Sequence, residues 1–221
     1  MPMGHVVTQL SIWDEWHGER DIQSRGSSQE ELSNMLLEAL DPLPGKRILE
    51  LGCGQGRDAI KFAENGAEVC ASDLSEIAIE KAQKNAASAG VNILFDRHDM
   101  SSGQLPQFGI DQFDGIFCHL SLHYFTNTVT AQLFKQIADS TRRGGFLAFM
   151  VKSTKDPYFR LGDKLEDNMF RRKGHVRHFF SRDYTLNLLL ADWDVLSFDE
   201  PSECYQSATA SHFIRVLARK S

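Results

Sequence analysis

Three glycines follow a short apolar run at every second position, and this spacing is typical of a loop that binds a nucleoside. Arg47–Leu51 is predicted to be a buried strand, Gly52, Gly54 and Gly56 follow it, and Arg57 begins a helical pattern. Glycine permits sharp turns and lets a ligand approach the backbone closely. In open α/β sheets such a loop lies at the carboxyl ends of the strands, where ligands bind. A binding loop is therefore favoured over a turn that binds nothing.

The spacing of this loop also indicates which nucleotide it suits. The dinucleotide fingerprint is G-x-G-x-x-G, and Arg57 stands where its third glycine is expected. The Gly-Lys-Ser/Thr ending of a phosphate-binding loop is absent. Glu50, inside the strand, would repel a diphosphate but would suit an ammonium group. We therefore expect a zwitterionic or cationic nucleoside.

Two further acidic residues follow the next two strands. Asp73 lies about twenty residues after the loop, the position from which a carboxylate reaches a ribose diol. The alternative is that Asp73 and Ser75 cap the helix that follows. Asp99 follows the third strand, where its carboxylate could accept an adenine amino group while the backbone amide of Met100 donates to the ring.

The elements that must position these residues alternate along the chain. Strands separated by helices of ten or so residues predict a parallel, doubly wound sheet. Two late strands without a helix between them indicate an antiparallel finish, whereas residues 155–180 show no clean period. An early helix, capped by Ser28 with Glu31, ends at Pro42. The predicted strands are 47–51, 68–72, 92–95, 113–118, 146–151, 194–198 and 212–218, and the predicted helices that follow the first are 57–64, 75–89, 126–142 and 181–191.

In these motifs, residues 46–151 resemble a class I S-adenosylmethionine-dependent methyltransferase. The glycine loop matches the first motif of that family, Phe113–Cys118 its fourth strand, and 142–146 its turn into the fifth strand. The resemblance implies a Rossmann-like, doubly wound α/β fold with a seven-stranded sheet, whose last strand is antiparallel, and a small lid. It also implies S-adenosylmethionine as the cofactor. The cofactor-binding residues expected from it are Glu50, Gly52, Cys53, Gly54, Gly56, Arg57, Asp73, Leu74, Asp99, Met100 and Cys118.

A looser resemblance concerns two short stretches. Gly56-Arg57-Asp58-Ala59 and the ending 213–220 are similar to the tellurite-resistance and thiopurine methyltransferase branch. That branch methylates small, soft nucleophiles, which implies a sulfur, selenium or tellurium acceptor.

Candidate catalytic bases come just after the fourth strand. His119 and His123 are four residues apart and would share a face on a helical turn. His123 could equally be a packing residue that hydrogen-bonds the backbone. A thiol or chalcogen nucleophile ionises easily and would need no base.

Two segments are candidates for the acceptor side of the site. Residues 169–180 form a basic island in which Arg177 and His178 would clamp an anionic acceptor. The alternative is a solvated loop that balances the nearby acids at 163, 166 and 167. Trp13 and Trp16 would cover the pocket, or would form the apolar side of a docking helix. A metal site from His175 and His178 is not expected, because further ligands at suitable spacing are missing.

Length and charge limit the domain organisation and the partners. The chain has 221 residues and a net charge of −6, which argues against a nucleic-acid partner. The sequence has no apolar run of membrane-spanning length and no signal pattern, so we expect a cytoplasmic protein with free cysteines.

We predict an N-terminal helical cap or lid over 1–44 and a methyltransferase domain over 45–221, with an acceptor-side insertion at 155–180. The predicted activity is methyl transfer to a small molecule; the alternatives are a nucleotide-dependent oxidoreductase and a non-catalytic protein that binds S-adenosylmethionine.

Overall fold

The structure is a computed structural model that describes residues 8–21, 27–204 and 210–221. Helices and strands alternate through its first two thirds, as the sequence predicts. In chain order the elements are α1 (Gln9–Glu19), α2 (Ser27–Leu40), β1 (Arg47–Leu51), α3 (Arg57–Glu64), β2 (Glu68–Asp73), α4 (Glu76–Ala89), β3 (Ile93–Arg97), a 3-10 turn (Met100–Ser102), β4 (Phe113–His119), α5 (Asn127–Ser140), β5 (Thr141–Lys152), β6 (Asp163–Glu166), β7 (Met169–Arg172), β8 (His175–His178), α6 (Arg182–Leu189), β9 (Trp193–Asp199), β10 (Ser202–Glu203) and β11 (Ser211–Lys220).

The main sheet has the strand order β10-β11-β5-β4-β1-β2-β3, with β9 paired to β11. Strands β1 to β5 are parallel, and β11 runs antiparallel to both β5 and β9. This arrangement confirms the Rossmann-like α/β fold with an antiparallel strand near its end. The two-residue strand β10, which the sequence did not predict, pairs with β11 and brings the sheet to eight strands.

Helices cover both faces of the sheet and bury its apolar residues. On one face, α5 contributes Leu133 and Ile137 to the core. On the other face, α2 contributes Leu32, Leu36 and Leu40, which are 0–3% exposed. Helix α2 therefore packs into the main core, and only α1 of the predicted N-terminal cap lies apart from it. The cap proposed at Ser28 lies outside the side chains that the structure describes.

Residues 155–180, which showed no period, fold largely into a second sheet. Strands β6, β7 and β8 form an antiparallel meander, joined to the main sheet by a bridge between Ser153 and Phe180. Its two turns contain residues with positive φ, Asn168 and Lys173. Each strand has only four residues, so alternation along one strand is too short to be recognised in the sequence.

Strand β5 begins earlier than predicted. Helix α5 ends at Ser140, and Thr141 already pairs with Phe113 of β4. The ladder then shifts and resumes where Gly115 pairs with Phe146, so the predicted turn at 142–145 is a bulge within the strand. Among the described residues, none of the helices has the length and apolar character that crossing a membrane requires.

Candidate functional site

The glycine loop after β1 is contacted by three different parts of the chain. Its glycines have φ values of +75°, +53° and +81°, a region that side chains disfavour. A Cβ on Gly52 would lie 2.4 Å from Ser121 Cβ, and one on Gly54 would lie 3.2 Å from His17 Cε1. A Cβ on Gly56 would lie 3.0 Å from Ala82 Cβ of α4. Gly56 thus permits helix packing, whereas Gly52 and Gly54 keep the loop close to the chain after β4 and to α1.

Asp73, at the end of β2, holds this loop in place. Its Oδ2 accepts the backbone N–H of Gly54 at 2.8 Å, and its Oδ1 accepts that of Ser75 at 2.9 Å. Burial raises the pKa of Asp73, and the hydrogen bonds from these two amides oppose that shift. Ser75 itself caps α4 by accepting the amide of Ala78. Because each carboxylate oxygen has two lone pairs, Asp73 retains the capacity to accept ribose hydroxyls.

Glu50, Cys53 and Cys118 lie together at the same edge of the sheet. Glu50 is only 2% exposed. Burial, with the Glu50 carboxylate nearby, raises the pKa of the Cys118 thiol well above its ordinary value. Burial and the Asp73 and Glu50 carboxylates do the same for Cys53. Both thiols are therefore protonated at neutral pH, which argues against a role as nucleophiles.

The remaining predicted cofactor residues lie near the same edge. Asp99 is exposed, and its Oδ1 accepts the amide of Ser101, which caps the 3-10 turn. Met100 is buried beside it. The carbonyl of Leu74 accepts a hydrogen bond from Arg97 Nε, and Arg57 is the first residue of α3.

The segment after β4 forms turns rather than a helix, so the predicted helical spacing of His119 and His123 does not apply. Leu120 has a φ of +56°, a strained conformation for a large side chain. In the turns at 120–126, two buried side-chain atoms have no hydrogen-bond partner among the described residues, namely Ser121 Oγ and His123 Nδ1. Because Ser121 lies against Gly52, an orphaned polar atom faces the glycine loop, which fits a site for a polar ligand.

His123 is held neutral. Its ring is 1% exposed and lies 4.4 Å from the ring of Tyr124. Burial, with the positive charges of Arg177 and Lys152 nearby, lowers the pKa of His123 well below 6.5. Burial and these positive charges disfavour the protonated ring, so His123 is a weak base, and its Nδ1 has no hydrogen-bond partner among the described residues.

Helix α1 lies across the glycine loop. Asp14 Oδ1 accepts the hydroxyl of Ser75 at 2.6 Å, and the carbonyl of Arg20 accepts Gln55 Nε2 at 2.6 Å. Lys81 of α4 also donates to the Arg20 carbonyl. His17 is 6% exposed beneath the helix, and its burial lowers its pKa. The contacts of α1 agree with its predicted position over the pocket.

Trp13 and Trp16, predicted as a pair, face different surroundings. The ring of Trp13 lies 5.4 Å from that of Tyr124 and 6.2 Å from that of His175 in β8. Trp16 is 37% exposed, and the Arg20 guanidinium stacks on it. Trp13 therefore lines the inner wall between α1, the turns after β4 and β8.

Arg177 and His178, the two residues expected to clamp an anionic acceptor, point to opposite faces of β8, because consecutive residues of a strand alternate. His178 is 1% exposed, and its Nδ1 lies 3.1 Å from the carbonyl oxygen of Phe125. Its ring packs 4.9 Å from that of Tyr184. Arg177 points to the other face of β8, and its positive charge contributes to the lowered pKa of His123. Sequence reasoning missed Ser121, Tyr124 and His175, whose only signal was their position after predicted strands or within the basic island.

Comparisons with known proteins agree with this geometry. Residues 48–145 match a family described as a methyltransferase domain. YqeM of Bacillus subtilis, a protein named as a methyltransferase, is 35% identical over 140 residues, which are 61% of this chain and 51% of YqeM. This chain thus spans about half the length of that curated relative.

Two solved structures are similar over most of the chain. An S-adenosylmethionine-dependent methyltransferase from Mesorhizobium loti has a TM-score of 0.69 and 25% identity, over 88% of this chain and 98% of that one. TehB from Haemophilus influenzae also has a TM-score of 0.69, with 16% identity over 95% of this chain and 67% of that one.

Proposed function

We propose that this chain, which carries a methyltransferase domain of the S-adenosylmethionine-dependent class, transfers a methyl group to a small-molecule acceptor. The observation that carries the proposal is the meeting of three parts of the chain near the glycine loop. The ring of Trp13 in α1 packs against that of Tyr124 after β4 and lies 6.2 Å from that of His175 in β8. Walls that come from three parts of one chain suit a small molecule better than a polymer, which needs an open groove.

The cofactor site fits S-adenosylmethionine in its chemistry. Asp73 has lone pairs for the ribose hydroxyls, and the buried Glu50 places a carboxylate where an ammonium group is favoured. Gly52 and Gly54 leave the loop without side chains on the side that faces Ser121 and His17. Asp99 and Met100 remain the candidates for the adenine ring.

The chain contributes alignment, exclusion of water and a proton acceptor. The bound cofactor supplies an activated methyl group for an in-line displacement. Helix α1 covers the site and keeps water out. Of the two candidate bases, His123 has a buried Nδ1 without a hydrogen-bond partner among the described residues, and its lowered pKa makes it a weak base. His119, at the end of β4, is the second candidate.

Two acceptor chemistries are compatible with this site. An anionic acceptor is favoured by Arg177, whose positive charge is near enough to His123 to lower its pKa. A soft sulfur, selenium or tellurium nucleophile is favoured by the looser branch resemblance, which the fold likeness to TehB fits. A soft nucleophile needs no base, so with such an acceptor His123 would have only a packing role.

Two measurements test the proposal. Calorimetry should detect micromolar binding of S-adenosylmethionine and S-adenosylhomocysteine and no binding of NAD, since an oxidoreductase would prefer the dinucleotide. A screen of small acceptors with methyl-labelled cofactor should then transfer label to one chemical class. Cofactor binding without transfer to any acceptor, small or polymeric, would instead support a non-catalytic binding protein.

A further inference from the structure

One face of the β7–β8 hairpin carries two arginines and a histidine. Phe170 pairs with Arg177, and Arg172 pairs with His175. Paired residues of antiparallel strands share a face, as do residues two apart on one strand. All four therefore project to the same side, where they border a cavity of about 10 Å³, roughly the room of one water molecule, together with Tyr158, Leu161 and Phe179.

The arginines of this face lack a carboxylate partner. Within residues 8–21, 27–204 and 210–221, the guanidinium groups of Arg172 and Arg177 form neither an ion pair nor a hydrogen bond. Arg172 stacks on Tyr158, with its Cζ 4.5 Å from the ring centroid. Stacking occupies the face of the guanidinium and leaves its in-plane N–H donors available. His175 Nδ1 is buried beside them and has no hydrogen-bond partner in the described part of the chain.

Acidic residues near the hairpin are engaged elsewhere. Glu166 Oε2 accepts the amide and the side chain of Asn127, at 2.8 and 3.0 Å. Asp167 pairs with Lys164, and Asp156 pairs with Lys152. Two of the three acids that could balance the basic island, Glu166 and Asp167, are therefore engaged by other groups. Two arginines around one cavity, in a chain of net charge −6, indicate a site for an external anion.

The face also adjoins the reacting side of the site. Strand β8 is tied to the segment after β4 by a hydrogen bond from the His178 amide to the His123 carbonyl, at 2.9 Å. The ring of His175 lies 6.2 Å from that of Trp13. Strand β8, which carries His175 and Arg177, therefore lies next to Trp13 and to the segment that contains His123.

We propose that Arg172 and Arg177 form the acceptor subsite and that the acceptor is an aromatic carboxylate. The paired N–H donors of a guanidinium match a carboxylate in a bidentate arrangement. Aromatic side chains at 13, 124, 158 and 170 offer ring faces and edges to a planar acceptor. The unpartnered Nδ1 of His175 is a further polar contact for the carboxylate. The inference rests on the proposed function, since it specifies the substrate of that site.

Binding of benzoate and its neutral isostere benzamide to the protein saturated with S-adenosylhomocysteine tests this subsite. Calorimetry should show benzoate binding at least about tenfold more tightly than benzamide. Arg172→Gln and Arg177→Gln should each weaken benzoate binding by about 10- to 100-fold and leave benzamide unchanged. Arg171→Gln is the matched control, because Arg171 is exposed on the opposite face of β7, and it should bind as the unmodified chain does.

Three outcomes would overturn the subsite: equal affinity for the two probes, no detectable benzoate binding, or a loss in Arg171→Gln as large as in the other two variants. Thermal unfolding checks that each variant folds. Binding of S-adenosylhomocysteine is measured first in every variant. If the unmodified chain does not bind S-adenosylhomocysteine, the proposed function fails. If it binds S-adenosylhomocysteine but the benzoate results are not as expected, only the subsite is removed.

Discussion

The carboxylate of Asp73 accepts the backbone N–H of Gly54 across 2.8 Å, so the end of β2 directly holds the glycine loop that follows β1. The same carboxylate accepts the amide of Ser75, the residue that caps α4. One side chain thus sets the relative positions of two elements that border the cofactor site. Its role as a ribose acceptor would add to this structural role.

Replacing Asp73 with Asn should weaken binding of S-adenosylhomocysteine by about 10- to 100-fold. An amide has one acceptor oxygen, so its NH₂ group must face either the Gly54 or the Ser75 amide, and the charge that strengthens ribose hydrogen bonds is lost. Calorimetry measures the change. Asp111→Asn, at an exposed position remote from the loop, is the control. Unchanged affinity in Asp73→Asn would remove the ribose assignment.

Gly54→Ala should weaken cofactor binding and loosen α1. The new Cβ would lie 3.2 Å from His17 Cε1, so any steric effect falls on α1 as well as on a ligand. Gly45→Ala is a matched control, since Gly45 also has a positive φ of +80° but no atom within 4 Å of the added Cβ. Calorimetry measures cofactor binding, and hydrogen exchange of residues 9–19 measures the loosening of α1. Equal effects in both variants would show that backbone strain alone is responsible.

Trp13→Ala should raise the KM for the acceptor several-fold while the affinity for S-adenosylhomocysteine changes by less than about twofold. Trp13 packs against Tyr124 and His175 on the acceptor side. Trp16→Ala should alter neither quantity much, because Trp16 is 37% exposed. Steady-state kinetics with the acceptor found in the screen provide the measurement. If the two variants behave alike, the tryptophans act only as the docking face of α1.

Stability should fall as the pH drops below about 6.5. Burial, with Arg177 and Lys152 nearby, depresses the folded-state pKa of His123, so the unfolded chain binds a proton that the folded protein refuses. The free energy of unfolding then decreases by up to about 1.4 kcal/mol per pH unit until the folded-state pKa is reached. His123→Gln should reduce this slope in urea unfolding at pH 7.5, 6.5 and 5.5. The reduction is partial, because burial also lowers the pKa of His17. An identical slope in the variant would contradict the assignment.

Arg215→Met should lower the free energy of unfolding by about 1–3 kcal/mol without changing cofactor affinity. Arg215 is 4% exposed and donates to Asp199 and Glu31. Those two carboxylates are 43% and 59% exposed, so water hydrates them after the change and limits the loss. Arg219→Met on the same strand removes an exposed pair and should stay within about 0.5 kcal/mol. Urea unfolding compares the two.

The amino-acid sequence by itself determined the parallel half of the sheet and the position of the cofactor loop. The strand at 47–51 is rich in Ile and Leu and leads directly into the glycine loop, and helices such as α4 carry their own stop signal at Gly90. Both signals are local, since they depend on residues within one element. The edge of the sheet at which the site lies could also be predicted, because the carboxyl ends of parallel strands meet on one side of a sheet.

Only the tertiary structure decided which side chains of the basic island face the site. Strands of four residues are too short to show a period, and adjacent residues such as Arg177 and His178 separate onto opposite faces once pairing sets their register. The contact between His17 and Gly54 likewise joins residues 37 positions apart. No local pattern encodes such contacts, because they form only when α1 and β8 dock on the completed sheet.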